Sequence, residues 1–383
     1  MELLGPEATE QHLAEALEQK HIQPSDFSVR DLAEAFVGRE WVESFRPKSG
    51  RIQRLVEADA VSYSHFSNIT GQIFFTEVKT AYEDEEFVFS KVVPTRPSRI
   101  LDMEKVPGLS GIGDEFDVVG EREEYPILGF SEDYVEVAAK RKRGGIVAVT
   151  KEAIIADLTG NLLSNARKLG FWLGLNREKR IIDAIIDENA GAASAVLGGH
   201  RYHWRGTSYA TYQTSTPYDN VTTGAALVDW TDVNESWQTL SQILDPFTGE
   251  PILITPTHLI VTSQNLWTAA RIVNATEVRS DTNPSAGTAS NEMITGNPVQ
   301  MVLGNLQVLS SRLLTARAAT DTDWWLGNPQ KAFAYYSIWD LTPEEAPTNH
   351  PDHFKRDVQM QFKISEMGAA ATLEPRLMNE SRA

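Results

Sequence analysis

The sequence predicts an α+β fold, and three observations predict it. The last third mixes helical and extended patterns instead of repeating one of them. Residues 66–150 are rich in β-branched and aromatic runs. Between these regions one long helical pattern runs over residues 150–188. At 383 residues the folded chain buries roughly three quarters of its unfolded surface and needs no covalent staple. That length suggests about two or three domains.

Residues 1–45 read as a separate arm. Residues 8–20 place Leu13, Ala14 and Leu17 at helical spacing, with Glu7, Glu10, Glu15 and Glu18 on the polar side. Residues 25–36 predict a second short helix with Leu32, Ala35 and Phe36 apolar. Neither is long enough to be stable alone, so the arm lies on something else. Further on, Ile73-Phe74-Phe75, Phe87-Val88-Phe89 and Lys91-Val92-Val93 predict strands, punctuated by Pro94, Pro97 and Pro107. An outbound limb over 114–120 and a return limb over 134–143 predict an antiparallel pair. Both limbs are mostly polar, so the pair cannot fold alone and leans on another surface.

The long helix follows. Thr150 is the expected N-cap, and Glu152-Ala153 opens it. Ile154, Leu158, Leu162, Leu169, Leu173, Ile181 and Ile185 carry the apolar spacing, and Asn189-Ala190-Gly191 stops it. Unbroken, it would be about 50 Å long at about 1.5 Å per residue. Gly160, Gly170 and Gly174 either bend it or permit close packing. Leu162, Leu169 and Ile185 are expected to lie against a sheet.

Residues 198–222 read as loop. Val233, Trp237, Leu240 and Leu244 then form one helical stripe, with Asp232 or Thr231 as N-cap and Asp245-Pro246 as its end. Residues 251–254 and 258–261 predict two apolar strands split by Thr255-Pro256-Thr257. Ser263 is the expected cap of a helix whose apolar face is Leu266, Ala269, Ala270 and Val273. Residues 277–297 read as a long polar loop. Strands follow at 304–309 and at Trp324-Trp325-Leu326, the latter in a Trp-rich hairpin. Val358, Met360, Phe362 and Ile364 alternate with Gln359, Gln361 and Lys363, which predicts a half-buried strand.

Composition narrows the function classes. The chain has no cysteine, which excludes disulfides, thiolate nucleophiles and Cys-based zinc sites and suits a reducing cytoplasm. The first residues show no basic segment followed by an apolar one, so no signal peptide is expected. No run approaches the length of a membrane span. The net charge of -18 argues against a dedicated nucleic-acid binder, which needs a basic face.

Reactive constellations are weak. His200 and His203, like His350 and His353, sit three apart in expected loops without a third ligand. Gly108, Gly111 and Gly113 give G-x-x-G-x-G, not the dinucleotide order, and no strand leads straight into a helix there. No nucleophile elbow, Walker sequence or H-E-x-x-H occurs. Asp84-Glu85-Glu86 and Glu121, Glu123 and Glu124 read as solvated acidic faces. Lys140-Arg141-Lys142-Arg143 is the one dense basic run. Tyr335, Tyr336 and Trp339 read as packing residues. No catalytic, cofactor or metal site is expected. A chain with sizeable cores and no chemistry points to assembly.

At this point the sequence resembles the tailed-phage major capsid proteins. The junction Ile146-Val147-Ala148-Val149-Thr150-Lys151-Glu152-Ala153-Ile154-Ile155-Ala156-Asp157-Leu158-Thr159-Gly160 is similar to the loop-to-spine boundary of Mu-type head proteins. It departs from them in one aspartate, Asp157, where a pair is common. Gly249-Glu250-Pro251-Ile252-Leu253-Ile254-Thr255-Pro256 resembles the family's strand before a helix of the axial domain, here residues 266–274. Trp324-Trp325-Leu326 and Asp357-Val358-Gln359-Met360-Gln361 resemble its late strands. The resemblance covers about residues 60–378, and the arm matches nothing by residue.

The resemblance implies a shell-forming protein of the tailed-phage and herpesvirus capsid lineage. It implies an arm at 1–60, a peripheral domain from 61–101, 146–221 with the spine helix, and 346–383, an axial domain at 222–345 and an extended β-hairpin loop at 102–145 lying on a neighbour. Subunits would form hexamers and pentamers of an icosahedral head in the virion, built in the host cytoplasm around double-stranded DNA held weakly and non-specifically. A scaffolding protein, a portal and a decoration protein would be partners, with no membrane. The acidic charge is compatible with a container that does not grip DNA, and equally with solubility alone. An encapsulin-like nanocompartment, a tail or baseplate protein and an enzyme of unrecognised type stay open. Candidate inter-subunit contacts are Glu121, Glu123, Glu124 and Tyr125 on one side and Lys140, Arg141, Lys142 and Arg143 on the other. Arg141 and Arg143 are expected on one strand face, Lys140 and Lys142 on the other, with at least one face meeting carboxylates and not DNA.

Overall fold

A computed structural model describes residues 15–16, 28–36, 57–84, 86–107, 121, 134–150, 153–154, 161–187, 201–204, 207–215, 217–245, 249–281, 292–304, 306–346, 351–356 and 358–383. The chain divides into two compact units. The first takes Met1–Phe87, Lys142–Asn176 and Trp339–Met367, and the second Val88–Arg141, Arg177–Ile338 and Gly368–Ala383.

In the first unit the helix Val29–Phe36 is capped reciprocally. Ser28 Oγ accepts from Asp31 N at 3.1 Å, and Asp31 Oδ2 accepts from Ser28 N at 2.9 Å. Of the arm helix expected over 8–20, only residues 15 and 16 are described, and both are helical. The helix Glu57–Tyr82 replaces the strand expected at Ile73-Phe74-Phe75. Ile73, Phe74, Val78 and Ala81 are buried and recur at helical, not alternating, spacing. Thr76 and Thr80 donate their hydroxyls to the carbonyls of Gln72 and Thr76, one turn back.

The long strand Val358–Thr372 lies between Phe333–Glu345 and Arg141–Thr150 in its sheet. Val358, Met360, Phe362 and Ile364 are buried as their alternation predicts, and Phe362 stacks on Phe74 with centroids 4.6 Å apart. Thr150 Oγ1 accepts from Ala153 N at 3.3 Å, as expected of a cap. The described spine helix is Asn161–Ile186, about 39 Å long at about 1.5 Å per residue. It is stopped at Asp187, which takes φ 35, a left-handed conformation Asp tolerates; the expected stop at 189–191 lies outside the described residues. Gly170 and Gly174 serve close packing: a Cβ would stand 2.2 Å from Val78 O and 2.5 Å from the Phe87 ring respectively. Gly160 lies outside the described residues. Leu169 packs half-buried on this unit's core, Ile185 belongs to the core of the second unit, and the Leu162 side chain lies outside the described residues.

The second unit is built on a five-stranded mixed sheet. Its order is Gln307–Ser310, His258–Val261, Trp324–Gly327, Met378–Arg382, Val221–Thr223. Consecutive side chains leave opposite faces. Trp324, Leu326, Leu259 and Val261 therefore join Val233, Leu240 and Ala269 of the helices Trp230–Ser241 and Leu266–Asn274. Trp325 and Ile260 join Ile181, Ile182 and Ile185 on the other face. A strand buried on both faces reads as an uninterrupted apolar run, which is why Trp324-Trp325-Leu326 is central and not a hairpin.

Several expectations are corrected in this unit. Phe89–Val92 is a short helix, not strand, because the buried Glu178 carboxylate accepts from Phe89 N and Ser90 N, both at 2.8 Å. Residues 198–222 contain short strands: Arg201–Trp204 and Thr207–Tyr209 extend the sheet of Glu104–Pro107 and Tyr134–Val137. Asp229, not Thr231 or Asp232, caps Trp230–Ser241, and Asp232 is its capping-box partner. Pro251 makes only a bridge to Leu244, so 251–254 is not a strand. Asn265 takes the cap position before Leu266, and Ser263 N donates to Thr315 Oγ1 at 2.8 Å. Glu277–Asp281 pairs with Glu292–Gly296 as a ribbon where a loop was expected.

Candidate assembly surface

An antiparallel pair other than the expected one is present among the described residues. Glu104–Pro107 pairs with Tyr134–Val137, register Glu104 to Val137. The outbound limb expected over 114–120 lies outside the described residues. The return limb splits, with Tyr134–Val137 ending before Arg141–Thr150 begins. Lys140 falls between the two strands, so it shares no strand face with Lys142.

Lys140 is buried, and its Nζ donates to Glu104 Oε2 at 2.7 Å. Ser98 Oγ donates to the same oxygen at 2.7 Å, and the Lys140 ammonium sits 5.7 Å from the Tyr336 ring centroid. Burial pushes the Glu104 carboxyl up, but the bonds from Lys140 and Ser98 and the ammonium charge outweigh it and hold it below its ordinary value. The carboxylate that Lys140 meets is therefore Glu104, on the strand paired with Tyr134–Val137. Lys140 leaves the inter-subunit set, because its charge is satisfied within the chain.

Arg141 and Lys142 are exposed and Arg143 is half-exposed. Lys142 acts on Glu344, whose carboxyl is held below its ordinary value first by its hydrogen bond with Lys363 and then by the Lys363 and Lys142 charges. Glu121 is exposed; Glu123, Glu124 and Tyr125 lie outside the described residues. His203 is on a strand and His353 on the helix Pro351–Arg356, while His200, His350, Gly108, Gly111 and Gly113 lie outside the described residues. Among the described residues, no group of three His, Cys, Asp or Glu side chains could hold a metal ion. No described helix is long and apolar enough to cross a membrane.

Sequence reasoning missed the apolar residues that face water. Trp267 is 82 % exposed, and its position off the 266/269/270/273 stripe was the available signal. Ile100, Leu101 and Met103 are exposed in one turn beside the Lys140–Glu104 pair. Isolated exposed apolar side chains are ordinary, but clusters mark contact surfaces.

A surface of this kind, with charge satisfied inside and apolar groups outside, suits a protein that meets other chains. The family model described as "Phage capsid protein" matches residues 133–378, more than half of the chain. The chain belongs to the phage capsid protein family. This capsid protein is similar in structure to the capsid of the cyanophage P-SCSP1u, with 14 % identity, 77 % of this chain and 88 % of that chain covered, and a TM-score of 0.43. It is also similar to the capsid of a native GTA particle (9 % identity, 92 % and 99 % covered, TM-score 0.45). A virus-like particle from Pyrococcus furiosus matches at 10 % identity, 81 % and 96 % coverage and a TM-score of 0.37. No curated protein matches this capsid protein.

Proposed function

We propose that this protein is the major capsid protein of a tailed phage. Copies associate as hexamers and pentamers into a closed icosahedral head enclosing double-stranded DNA. The observation that carries the reading is the family match over residues 133–378. The arm is residues 1–60, and the extended loop, 102–145, lies on a neighbouring copy. The axial domain is 222–345, and the peripheral domain takes 61–101, 146–221 and 346–383. The antiparallel pair at the root of 102–145 supports the loop assignment. Arg141, Lys142 and Arg143, with Glu121, Glu123, Glu124 and Tyr125, are the polar contacts between copies. Such pairs orient partners more than they tighten them. A scaffolding protein, a portal and a decoration protein act in assembly, which takes place in the host cytoplasm and ends in the virion.

Electron microscopy of the purified protein, expressed alone and with a scaffolding protein, tests the reading. Closed shells that take up DNA or bear a portal vertex are expected. Shells filled with an enzyme cargo would make it a nanocompartment, and open tubes a tail component. A monomer at every concentration and salt tried, with the scaffolding protein present, overturns the reading. Reversing Arg141 and Arg143 to Glu should raise the concentration needed for shells while the subunit stays folded. Normal assembly with less DNA packaged would place the run on the lumen.

A further inference from the structure

Residues 95–105 read Thr-Arg-Pro-Ser-Arg-Ile-Leu-Asp-Met-Glu-Lys. The backbone here is pinned. Thr95–Pro97 pairs parallel with Tyr335–Ser337 at a sheet edge. Ser98 N donates to Ser337 O at 2.8 Å, and Lys140 N to Leu101 O at 3.0 Å. Ser98 Oγ accepts from Ile100 N at 3.2 Å. The Lys140–Glu104 bond closes the base at 2.7 Å.

On this fixed turn Ile100, Leu101 and Met103 stand 48 %, 56 % and 66 % exposed. Three large apolar side chains exposed within four residues of one turn are a local concentration of apolar surface. The same segment carries exposed Arg96, Arg99 and Lys105, with Asp102 as its exposed acid and Glu104 paired with Lys140. The segment is therefore locally positive in a chain of net charge -18.

We infer that residues 95–105 form a preformed docking surface for an acidic face of a second copy of this chain. The inference rests on the shell-forming reading and deepens it by naming where copies meet. Two copies of so acidic a chain repel, and they meet where one of them is locally basic. Exposed apolar side chains together with exposed charge on one short segment suit a protein interface, whose core is apolar and whose rim is polar. Nucleic acid would engage the cations but gain little from Ile100, Leu101 and Met103, whereas a protein surface uses both. Pro97 brings no N–H to the edge strand, so the contact runs through side chains and not through strand addition.

The test uses the full chain. Leu101→Ser with Met103→Ser, and separately Arg99→Glu, are compared with the unmodified protein for subunit unfolding midpoint and for the concentration at half-assembly. A benzophenone side chain placed at Met103 is photolysed in a mixture of isotopically labelled and unlabelled copies. Each substitution should raise the half-assembly concentration about tenfold or more, as loss of an interface anchor does, with the unfolding midpoint unchanged. Crosslinked peptides should pair labelled with unlabelled chains, at a site rich in Asp and Glu. Unchanged thresholds, crosslinks within one chain only, or crosslinks to nucleic acid only overturn the inference. Should the double serine variant be less stable, Arg99→Glu decides by the same threshold. If the unmodified protein never assembles, the shell reading fails and takes this surface with it. If it assembles and the variants match it, the docking surface alone fails.

Discussion

The Lys140 ammonium and the Glu104 carboxylate meet at 2.7 Å, with the lysine side chain wholly buried and the glutamate one-fifth exposed. Removing one partner leaves the other charge poorly solvated. Glu104→Gln should cost the subunit about 1–3 kcal/mol, the range of a charge-assisted hydrogen bond. Because the carboxyl is held below its ordinary value, the folded state binds fewer protons than the unfolded chain as pH falls. The stabilisation is full above the unfolded value, about 4.3, and is lost as pH drops through the folded value. Denaturant unfolding of the subunit and its Gln variant should show the gap between them narrowing in acid. A gap independent of pH would mean that the bond contributes nothing.

Glu178 should respond to pH with the opposite sign. Burial pushes its carboxyl up, against the Phe89 and Ser90 N–H groups that pull it down, and the net shift is upward. Its stabilisation is full below the unfolded value and declines as pH rises through the folded one. The advantage of the natural residue over Glu178→Gln should therefore grow as pH is lowered from about 7 to about 4. Glu178→Ala should lose about 1–3 kcal/mol by orphaning two backbone donors. Parallel pH curves for Gln and the natural residue would refute the assignment.

Two adjacent glycines should behave differently. A Cβ on Gly144 would stand 2.1 Å from the carbonyl oxygen of Ile364, while one on Gly145 would meet only Leu169 Cδ1 at 3.5 Å. Gly144→Ala must push its strand away from the Ile364 backbone and should destabilise by at least about 1–3 kcal/mol. Gly145→Ala should be neutral or slightly stabilising, since it lowers unfolded-chain entropy without a clash. Thermal unfolding of the two variants side by side decides, and equal midpoints would count against the strand pairing.

Spine-helix truncations should rank by burial. Ile182 is fully buried in the second unit's core, and Ile182→Ala should cost about 2–5 kcal/mol. Leu169 is half-buried and should cost less, about 1–2 kcal/mol, in proportion to the apolar area it hides. Denaturant midpoints in the reverse order would contradict the helix's rotational setting.

Much of this fold was legible because burial leaves a period. Val358 to Ile364 announced a strand by alternation, whereas Trp324-Trp325-Leu326 announced a strand but not its central place between two partners. Ile73-Phe74-Phe75 misled because β-branched and aromatic residues favour strands locally; the deciding spacing, Ile73 and Phe74 to Val78 and Ala81, spans two turns. The Asp229 cap was misjudged because Asp229 and Asp232 are alike in sequence, and only the backbone tells which donors each meets. The candidate surface was less legible. Lys140 announced a carboxylate partner, yet Glu104 lies 36 residues away, a separation no local pattern encodes. Ile100, Leu101 and Met103 carried no signal of their exposure, because exposure is a property of the fold, not of the residue.

Met378–Arg382 sits inside the five-stranded sheet, between Trp324–Gly327 and Val221–Thr223. Asn379 donates to Thr222 Oγ1 across 157 residues of chain. At about 5–20 residues per second of synthesis, Val221–Thr223 waits roughly 8–30 s for its partner to be made. So long a loop also makes closure slow by topology. The sheet therefore stays incomplete until synthesis has passed Arg382. Ribosomes crowded on one message then display incomplete units, which lack the finished surfaces through which copies recognise one another, and the order of translation itself delays their union.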